Sequence, residues 1–127
     1  MPQGSRRVLV VDDDAMIREV SQMALEAVAG WEVLQADGGS TALVIAEEHR
    51  PDAILLDVMM PDMDGLTTFR RLQESETTRD IPVVLVTAKV QSGPRPVWDG
   101  LAIAGVIPKP FDPMTLADEV SRMLGWT

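Results

Sequence analysis

Five short apolar segments recur along this chain at nearly even intervals, and this recurrence limits its fold more than any other feature. The segments begin near residues 8, 31, 53, 83 and 105, so the intervals are 23, 22, 30 and 22 residues long. Each interval has room for one strand and one helix. Unbroken apolar runs such as that from Val8 to Val11 are typical of strands buried on both faces. The pattern therefore predicts an α/β fold with a doubly wound, five-stranded parallel sheet covered by helices.

The residues between these segments carry apolar side chains at helical spacing. The sequence predicts strands over residues 8–11, 31–36, 53–56, 81–86 and 105–108. It predicts helices over residues 14–29, 40–49, 65–74 and 113–124. We expect Gly30 to end the first helix, whose predicted buried stripe is Ile17, Val20, Met23, Ala24 and Ala27. Gly93, Pro94 and Pro96 forbid a regular helix through their span, so we expect only a short helix there, from near Pro96 to Ala104.

Length, composition and charge restrict the functions open to the chain. A chain of 127 residues is the size of one domain, so we interpret residues 1–127 as a single unit. It has no cysteine, which excludes disulfides, thiolate zinc sites and thiol nucleophiles. The net charge of −9 argues against direct binding to nucleic acid, which requires clustered basic residues. No apolar run approaches the ~20 residues of a membrane span, and the N-terminal run is too short for an export signal, so we expect a cytoplasmic protein without a membrane partner.

Acidic residues follow two of the predicted strands directly. Asp12, Asp13 and Asp14 follow the first strand, and Asp57 follows the third. Ligands of open parallel sheets bind beyond the carboxyl ends of the strands, so Asp12, Asp13 and Asp57 meet in one crevice if these two strands are neighbours. Two unit charges ~4 Å apart repel by about 4 kcal/mol at an effective dielectric of ~20, so three carboxylates there require a cation or a proton. Oxygen ligands without His or Cys favour Mg²⁺, with Mn²⁺ as an alternative, whereas Asp14 is interpreted as a helix cap.

The fourth and fifth strands end in a hydroxyl group and an ammonium group. Thr87 follows the fourth strand, and Lys109 follows the fifth. Pro108 requires the fifth strand to lie at the sheet edge. A lysine that faces an acidic metal site binds a second anion such as a phosphoryl group, and an aspartate can itself be the nucleophile that forms an acyl phosphate. The residues at the four strand ends therefore predict phosphoryl transfer, which depends on positioning and charge neutralisation.

Four segments resemble, in order and spacing, the receiver domain of two-component response regulators. They are residues 8–14, 55–65, 84–88 and 109–111, and the resemblance extends over about residues 6 to 124. It implies a flavodoxin-like (βα)₅ fold with strand order 2-1-3-4-5, as in the stand-alone chemotaxis-type regulators. It implies that Asp57 accepts a phosphoryl group from a histidine kinase or a histidine phosphotransfer protein and thereby changes the affinity for an output partner. Asp13 and Asp57 would bind Mg²⁺ through their carboxylates, Asp12 partly through water, and Met59 through its backbone carbonyl.

The resemblance also implies how the phosphoryl group is held. Lys109 would pair with the phosphoryl oxygens, and Thr87, with Ala88 beside it, would move toward the phosphate as the switch. The Lys109–Pro110 peptide bond would be cis, which occurs almost only before proline.

The sequence departs from the family pattern at three places. Val106 stands where many members have an aromatic switch residue, and a valine cannot swing between buried and exposed poses as a ring does. The segment Gly93-Pro94-Arg95-Pro96 interrupts the helix that usually carries the signalling surface, and Trp98 could supply bulk there. Met59 and Lys89 occupy positions that influence how long the phosphoryl group persists. Because Met59 is apolar and cannot orient the attacking water, we expect slow loss of phosphate.

Two other functions are compatible with the same residues. The spacing of Asp12 and Asp14 after an apolar strand resembles the start of haloacid-dehalogenase-type phosphatases, although that family needs a cap insertion and further acids late in the chain. A receiver-shaped interaction module that no longer uses phosphate is the other alternative, which the altered Val106 favours. As a receiver, the chain would not be an enzyme, and it would assist only its own phosphorylation and dephosphorylation. A homodimer that forms on phosphorylation is left open, through the last helix and the strand before it. Val120, Met123 and Leu124 would belong to that surface unless they are core residues.

Overall fold

The computed structural model describes residues 6–88 and 100–126. Five parallel strands form one sheet with the order β2-β1-β3-β4-β5. The strands are β1 Arg7–Val11, β2 Glu32–Ala36, β3 Ala53–Asp57, β4 Val83–Thr87 and β5 Gly105–Pro108. The helices are α1 Ala15–Ala24, α2 Gly39–His49, α3 Gly65–Glu74 and α4 Leu116–Leu124. The predicted doubly wound fold and the strand order implied by the resemblance are confirmed.

An apolar cluster covers each face of the sheet, because alternate side chains of a strand point to opposite faces. Leu9 of β1 belongs to the cluster that includes Phe69 of α3. Its neighbour Val8 belongs to the second cluster, which includes Leu116 of α4. Burial on both faces explains why the strands appear in the sequence as unbroken apolar runs. The strand that contains Pro108 lies at the sheet edge, as its proline required.

The first helix begins and ends at the residues that the sequence indicated. Asp14 caps α1, because its carboxylate accepts hydrogen bonds from the backbone N–H groups of Met16 at 2.9 Å and Ile17 at 3.4 Å. A π-helical turn over Leu25–Ala29 continues the helix. Gly30 ends it with φ at 73°, a left-handed conformation that glycine adopts without steric cost.

The predicted buried stripe of α1 is partly wrong. Val20 and Met23 are 36% and 68% exposed, and Ala27 is exposed as well. Ala24 is buried as predicted and Ile17 is half-buried, and the buried face is completed by Ser21 and Leu25. Because Ser21 is polar, the spacing of apolar residues in the helix does not predict that Ser21 faces the core. The helix therefore presents several apolar side chains to solvent, a feature that bears on partner binding below.

Two helix boundaries differ from the sequence prediction. The last helix begins at Leu116 rather than at residue 113. Asp112 accepts hydrogen bonds from the N–H groups of Met114 and Thr115, so residues 113–115 form a turn before the helix. Residues 89–99 lie outside the described part of the chain, and so do residues 96–99 at the start of the short helix expected near Pro96. Its predicted end at residues 100–104 is non-helical, and Gly100 has φ at 86°.

Candidate functional site

The carboxyl ends of four strands bring the predicted site residues to one edge of the sheet. Asp57 is the last residue of β3, and Thr87 is the last residue of β4. Asp12 directly follows β1, and Lys109 directly follows β5. The strand order is responsible, because β1, β3, β4 and β5 are successive neighbours in the sheet. The site thus lies where open α/β sheets bind their ligands.

Three carboxylates form a cluster at this edge. One carboxylate oxygen from each of Asp12, Asp13 and Asp57 lies within 4.8 Å of the others. Asp12 and Asp57 are 3% and 2% exposed, whereas Asp13 is exposed. Hard oxygen donors at this separation fit a divalent cation such as Mg²⁺, which binds proteins through one or two carboxylates and keeps several waters. The exposed Asp13 leaves such an ion in contact with solvent.

Lys109 reaches into the carboxylate cluster. Its Nζ lies 2.7 Å from Asp12 Oδ2 and 3.3 Å from Asp57 Oδ1, and its side chain is 14% exposed. Desolvation lowers the pKa of Lys109, but the hydrogen bond and the charge of Asp12, together with the charge of Asp57, raise that pKa above its usual range. Lys109 is therefore a permanent cation between the two buried carboxylates.

Burial and repulsion destabilise the charged form of Asp57. Desolvation is the largest effect and raises the pKa of Asp57, and repulsion by Asp12 raises it further. Attraction to Lys109 and a hydrogen bond of 3.3 Å from the Met59 N–H to Asp57 Oδ1 offset part of this rise. A carboxylate that is poorly solvated and not fully neutralised gains from a further cation.

The remaining predicted site residues lie around this centre. Thr87 is buried, and its carbonyl accepts a hydrogen bond of 2.9 Å from the Lys109 N–H. Ala88 is exposed beside it. The Lys109–Pro110 peptide bond is cis. Lys89 falls outside the described residues, as do residues 93–96 and Trp98.

Val106, the altered switch position, lies in the edge strand β5 opposite Leu85 of β4. It is half-buried and packs against the apolar cluster that contains Leu85. Its side chain is thus part of the packing between β5 and the neighbouring layer. A residue of this size has no second, exposed pose to adopt.

The loop after Asp57 returns closely over the strand end. The Gly65 N–H donates to the Val58 carbonyl at 2.9 Å, and a Cβ at position 65 would lie only 2.4 Å from the Asp57 carbonyl oxygen. Glycine is therefore required there, because any side chain would collide with backbone. The second residue of this loop is Met59, which is 56% exposed.

Two residues that secure the loops of the site were not recognised in the sequence. The Asp62 carboxylate lies at the start of α2, where a Cβ on Gly38 would be 2.8 Å from its Oδ2. Desolvation raises the pKa of Asp62, but hydrogen bonds from the N–H groups of Met63, Ser40 and Gly39 lower it overall. Arg18 of α1 donates to the Asp12 backbone carbonyl at 2.6 Å. Contacts between side chains and distant backbone leave no residue pattern, so only the structure shows them.

A family model for the response regulator receiver domain matches residues 8–121. The chain belongs to this family. The phosphate regulon transcriptional regulatory protein PhoB of Pseudomonas aeruginosa is 38% identical over 121 residues, which cover 94% of this chain and 52% of PhoB. The response regulator PleD of Caulobacter vibrioides is 44% identical over 119 residues, 94% of this chain and 26% of PleD. The chemotaxis protein CheY4 of Vibrio cholerae superposes with a TM-score of 0.84 at 30% identity, over 93% of this chain and 98% of CheY4.

This receiver domain spans about half of PhoB and about a quarter of PleD. The names of the relatives indicate different output activities, since they include transcriptional regulators and a protein-glutamate methylesterase. Membership in the family accounts for the acids after both β1 and β3, whereas the alternative of a haloacid-dehalogenase-type phosphatase gains no support.

Proposed function

We propose that Asp57 of this receiver domain accepts a phosphoryl group from a histidine kinase or a histidine phosphotransfer protein and that the acyl phosphate switches affinity for an output protein. The observation that supports this most strongly is the ion-pair arrangement, in which Lys109 Nζ lies 3.3 Å from Asp57 Oδ1 beside two further carboxylates. This arrangement holds a nucleophile and a cation for the phosphoryl oxygens at one point.

The transfer forms one bond and breaks one. An Asp57 carboxylate oxygen attacks the phosphorus atom, and the donor nitrogen or oxygen leaves with the electron pair of the broken bond. Lys109 neutralises charge on the phosphoryl oxygens, and the Thr87 hydroxyl donates a hydrogen bond to one of them once it has moved toward the phosphate. Mg²⁺ held by Asp12, Asp13, Asp57 and the Met59 carbonyl, or Mn²⁺ in its place, would supply further neutralising charge.

The test is the intact mass of the protein after incubation with Mg²⁺ and a small acyl-phosphate donor. We expect one added phosphoryl group, no adduct after chelation of the metal, and no adduct on Asp57→Asn. Absence of both an adduct and Mg²⁺ binding would favour a receiver fold that serves as an interaction module without phosphate. Turnover of phosphate esters that is lost in Asp12→Asn would instead indicate a phosphatase.

An apolar groove beside the site offers a place for the phosphodonor. The groove has a volume of about 350 Å³ and is lined mainly by apolar side chains from the start of α1 and from the loop after β5. Lys109 and Ala88 also line it, so it lies beside the phosphoacceptor site. Met16, which is 71% exposed, lies on its rim and belongs to the exposed apolar face of α1. A partner helix with apolar residues can cover this face while its histidine approaches Asp57.

Met16→Glu should separate protein donors from small donors. We expect the efficiency of phosphorylation by a histidine phosphotransfer protein to fall about tenfold, because a charge in an apolar contact costs on the order of 1.4 kcal/mol or more. Phosphorylation by a small acyl phosphate should stay within twofold of wild type. Val44→Glu, at an α2 residue that is 56% exposed, is the matched control. Equal losses in the two variants, or no loss in Met16→Glu, would remove α1 from the docking surface.

Met59 is expected to prolong the life of the acyl phosphate, since its side chain offers attacking water no hydrogen bond. In Met59→Asn the loss of phosphate should accelerate about fivefold, the factor that one hydrogen bond of about 1 kcal/mol supplies. The measurement is the decay of phosphorylated protein after removal of the donor. Met23→Asn, at an exposed methionine of α1 that is distant in sequence from Met59, should decay as wild type. Unchanged decay in Met59→Asn would contradict this role.

The output partner is proposed to be a protein, and the location to be the cytoplasm. In the part of the chain that the structure covers, no helix is long and apolar enough to cross a membrane. The net charge of −9 opposes direct contact with nucleic acid.

Val120 is fully buried and therefore cannot contribute to a homodimer surface, whereas Met123 and Leu124 are half-buried. A homodimer that forms on phosphorylation remains a prediction, in which Met123 and Leu124 of α4 would take part without Val120.

A further inference from the structure

An arginine of α1 secures the end of β1 from the side. Arg18 Nη1 donates to the Asp12 backbone carbonyl at 2.6 Å, and Arg18 Nε donates to Gln35 Oε1 of β2 at 3.1 Å. The amide nitrogen of Gln35 in turn donates to Gln22 of α1. One guanidinium group thus ties the helix to two neighbouring strands at the point where β1 meets the carboxylate cluster.

Asp12 is consequently held through four of its atoms. Its N–H donates to the Ala36 carbonyl at 3.1 Å, and its Oδ1 accepts from the Asp14 N–H at 2.9 Å. Its Oδ2 accepts from Lys109 Nζ at 2.7 Å. The fourth contact is that of its carbonyl with Arg18. The first three fix the strand end and the side chain of Asp12, whereas the fourth fixes the peptide plane that leads to the next residue.

That peptide plane also contains the amide nitrogen and Cα of Asp13, because a peptide unit is planar. Asp13 is exposed, so no surrounding core restrains its side chain, and its direction depends on its backbone. We propose that Arg18 is a positioning residue for the metal: by holding the Asp12 carbonyl it directs the Asp13 carboxylate toward the ion. The inference rests on the proposed function, in which this cluster binds a divalent cation.

Removal of Arg18 should change the affinity for the metal ion in opposite directions, depending on whether Arg18 acts through its charge or through the position that it gives to Asp13. A positive charge near a cation site opposes cation binding, so its removal alone would tighten the binding of a metal ion. If Arg18 acts by position, its removal weakens that binding, by about tenfold as is usual when an outer partner of a metal ligand is lost. The direction of the change therefore distinguishes the two roles.

The experiment is direct titration of Mn²⁺, with the unbound ion measured by electron paramagnetic resonance and no phosphodonor present. We compare wild type with Arg18→Met, which cannot donate, and with Arg18→Lys, which keeps the charge and one donor group. Arg7→Met is a matched control at the opposite end of β1. The guanidinium of Arg7 also donates to a carbonyl, that of His49 at 3.3 Å, and to a β2 side chain, that of Glu32 at 3.4 Å.

We expect Arg18→Met to raise the Mn²⁺ dissociation constant about tenfold, Arg18→Lys to raise it less, and Arg7→Met to leave it within twofold. If Arg18→Met does not fold, Gln35→Met removes the lateral support of the guanidinium and should raise the constant about threefold, the effect of a fraction of one hydrogen bond. Unchanged or tighter binding in the Arg18 or Gln35 variants overturns the inference but leaves the metal site intact. Equal weakening in Arg7→Met also overturns it, and failure of wild type to bind Mn²⁺ overturns the metal site itself.

Discussion

Lys109→Met should lower the free energy of unfolding by about 3 kcal/mol at neutral pH without Mg²⁺, the usual result of removing one partner from a buried ion pair. Asp12 and Asp57 are almost fully buried, and Lys109 Nζ contacts both carboxylates. Without the ammonium group the two charges repel each other and lack a counter-ion. Methionine preserves most of the side-chain volume, so lost packing contributes little. The measurement is denaturant unfolding of wild type and variant.

Part of this deficit should be recovered when another cation neutralises the two carboxylates. Addition of Mg²⁺ should recover a larger part of the stability in Lys109→Met than in wild type, because ligand binding to the folded state stabilises it. Arg7→Met, which breaks an exposed ion pair with Glu32, should cost less than about 1 kcal/mol and respond to Mg²⁺ as wild type does. A Lys109→Met protein as stable as wild type in the absence of Mg²⁺ would show that the carboxylates do not depend on this lysine.

Asp57→Asn should have two effects, of which the larger is complete loss of phosphoryl uptake. The second is a gain of about 1 kcal/mol in the free energy of unfolding, because the neutral amide avoids the cost of burying a charge and the repulsion by Asp12, and together these exceed the lost attraction to Lys109. The amide retains an oxygen for the Met59 N–H, which donates to Asp57 Oδ1 in the wild-type protein. The measurements are intact mass and denaturant unfolding.

The stability gain of Asp57→Asn should depend on pH in one direction. The pKa of Asp57 is raised in the folded state, so the folded protein binds this proton more tightly than the unfolded chain does. The ionised carboxylate therefore costs stability above the folded-state pKa, and the cost is lost as pH falls through that pKa toward the ordinary value of 3.8. The difference between variant and wild type should be largest near neutral pH and should shrink on acidification. A difference that grows on acidification would mean that the folded-state pKa is lowered.

The sequence was sufficient to predict the fold because burial on both faces leaves a strong pattern. Strands such as β3 and β4 are buried at every position, so each appears as an apolar run. Asp57 and Thr87 end those runs, and a polar residue at the carboxyl end of a buried strand indicates a site. The four strand ends were therefore identifiable before their distances were known, whereas which strands are neighbours came from the family resemblance.

The parts that the sequence did not predict depend on polar side chains that contact backbone. Ser21 faces the core although it is polar, whereas Val20 and Met23, which were predicted to be buried, are exposed. Asp112 accepts a hydrogen bond in a turn, so α4 begins after this turn rather than at the predicted residue 113. Arg18 and Asp62 secure loops through hydrogen bonds with main-chain groups of Asp12 and of residues 39, 40 and 63. The spacing of apolar residues along the sequence does not reveal such contacts.

The most direct test of the account is to locate the phosphoryl group. Sodium borohydride reduces an acyl phosphate to an alcohol, which would convert phosphorylated Asp57 into homoserine. After incubation with Mg²⁺ and a small acyl-phosphate donor, reduction and proteolysis, we expect homoserine at position 57 alone, and none in the protein from which Mg²⁺ was withheld. Homoserine at Asp12 or Asp13, or at no position despite bound Mg²⁺, would contradict the assignment of Asp57 as the phosphoacceptor.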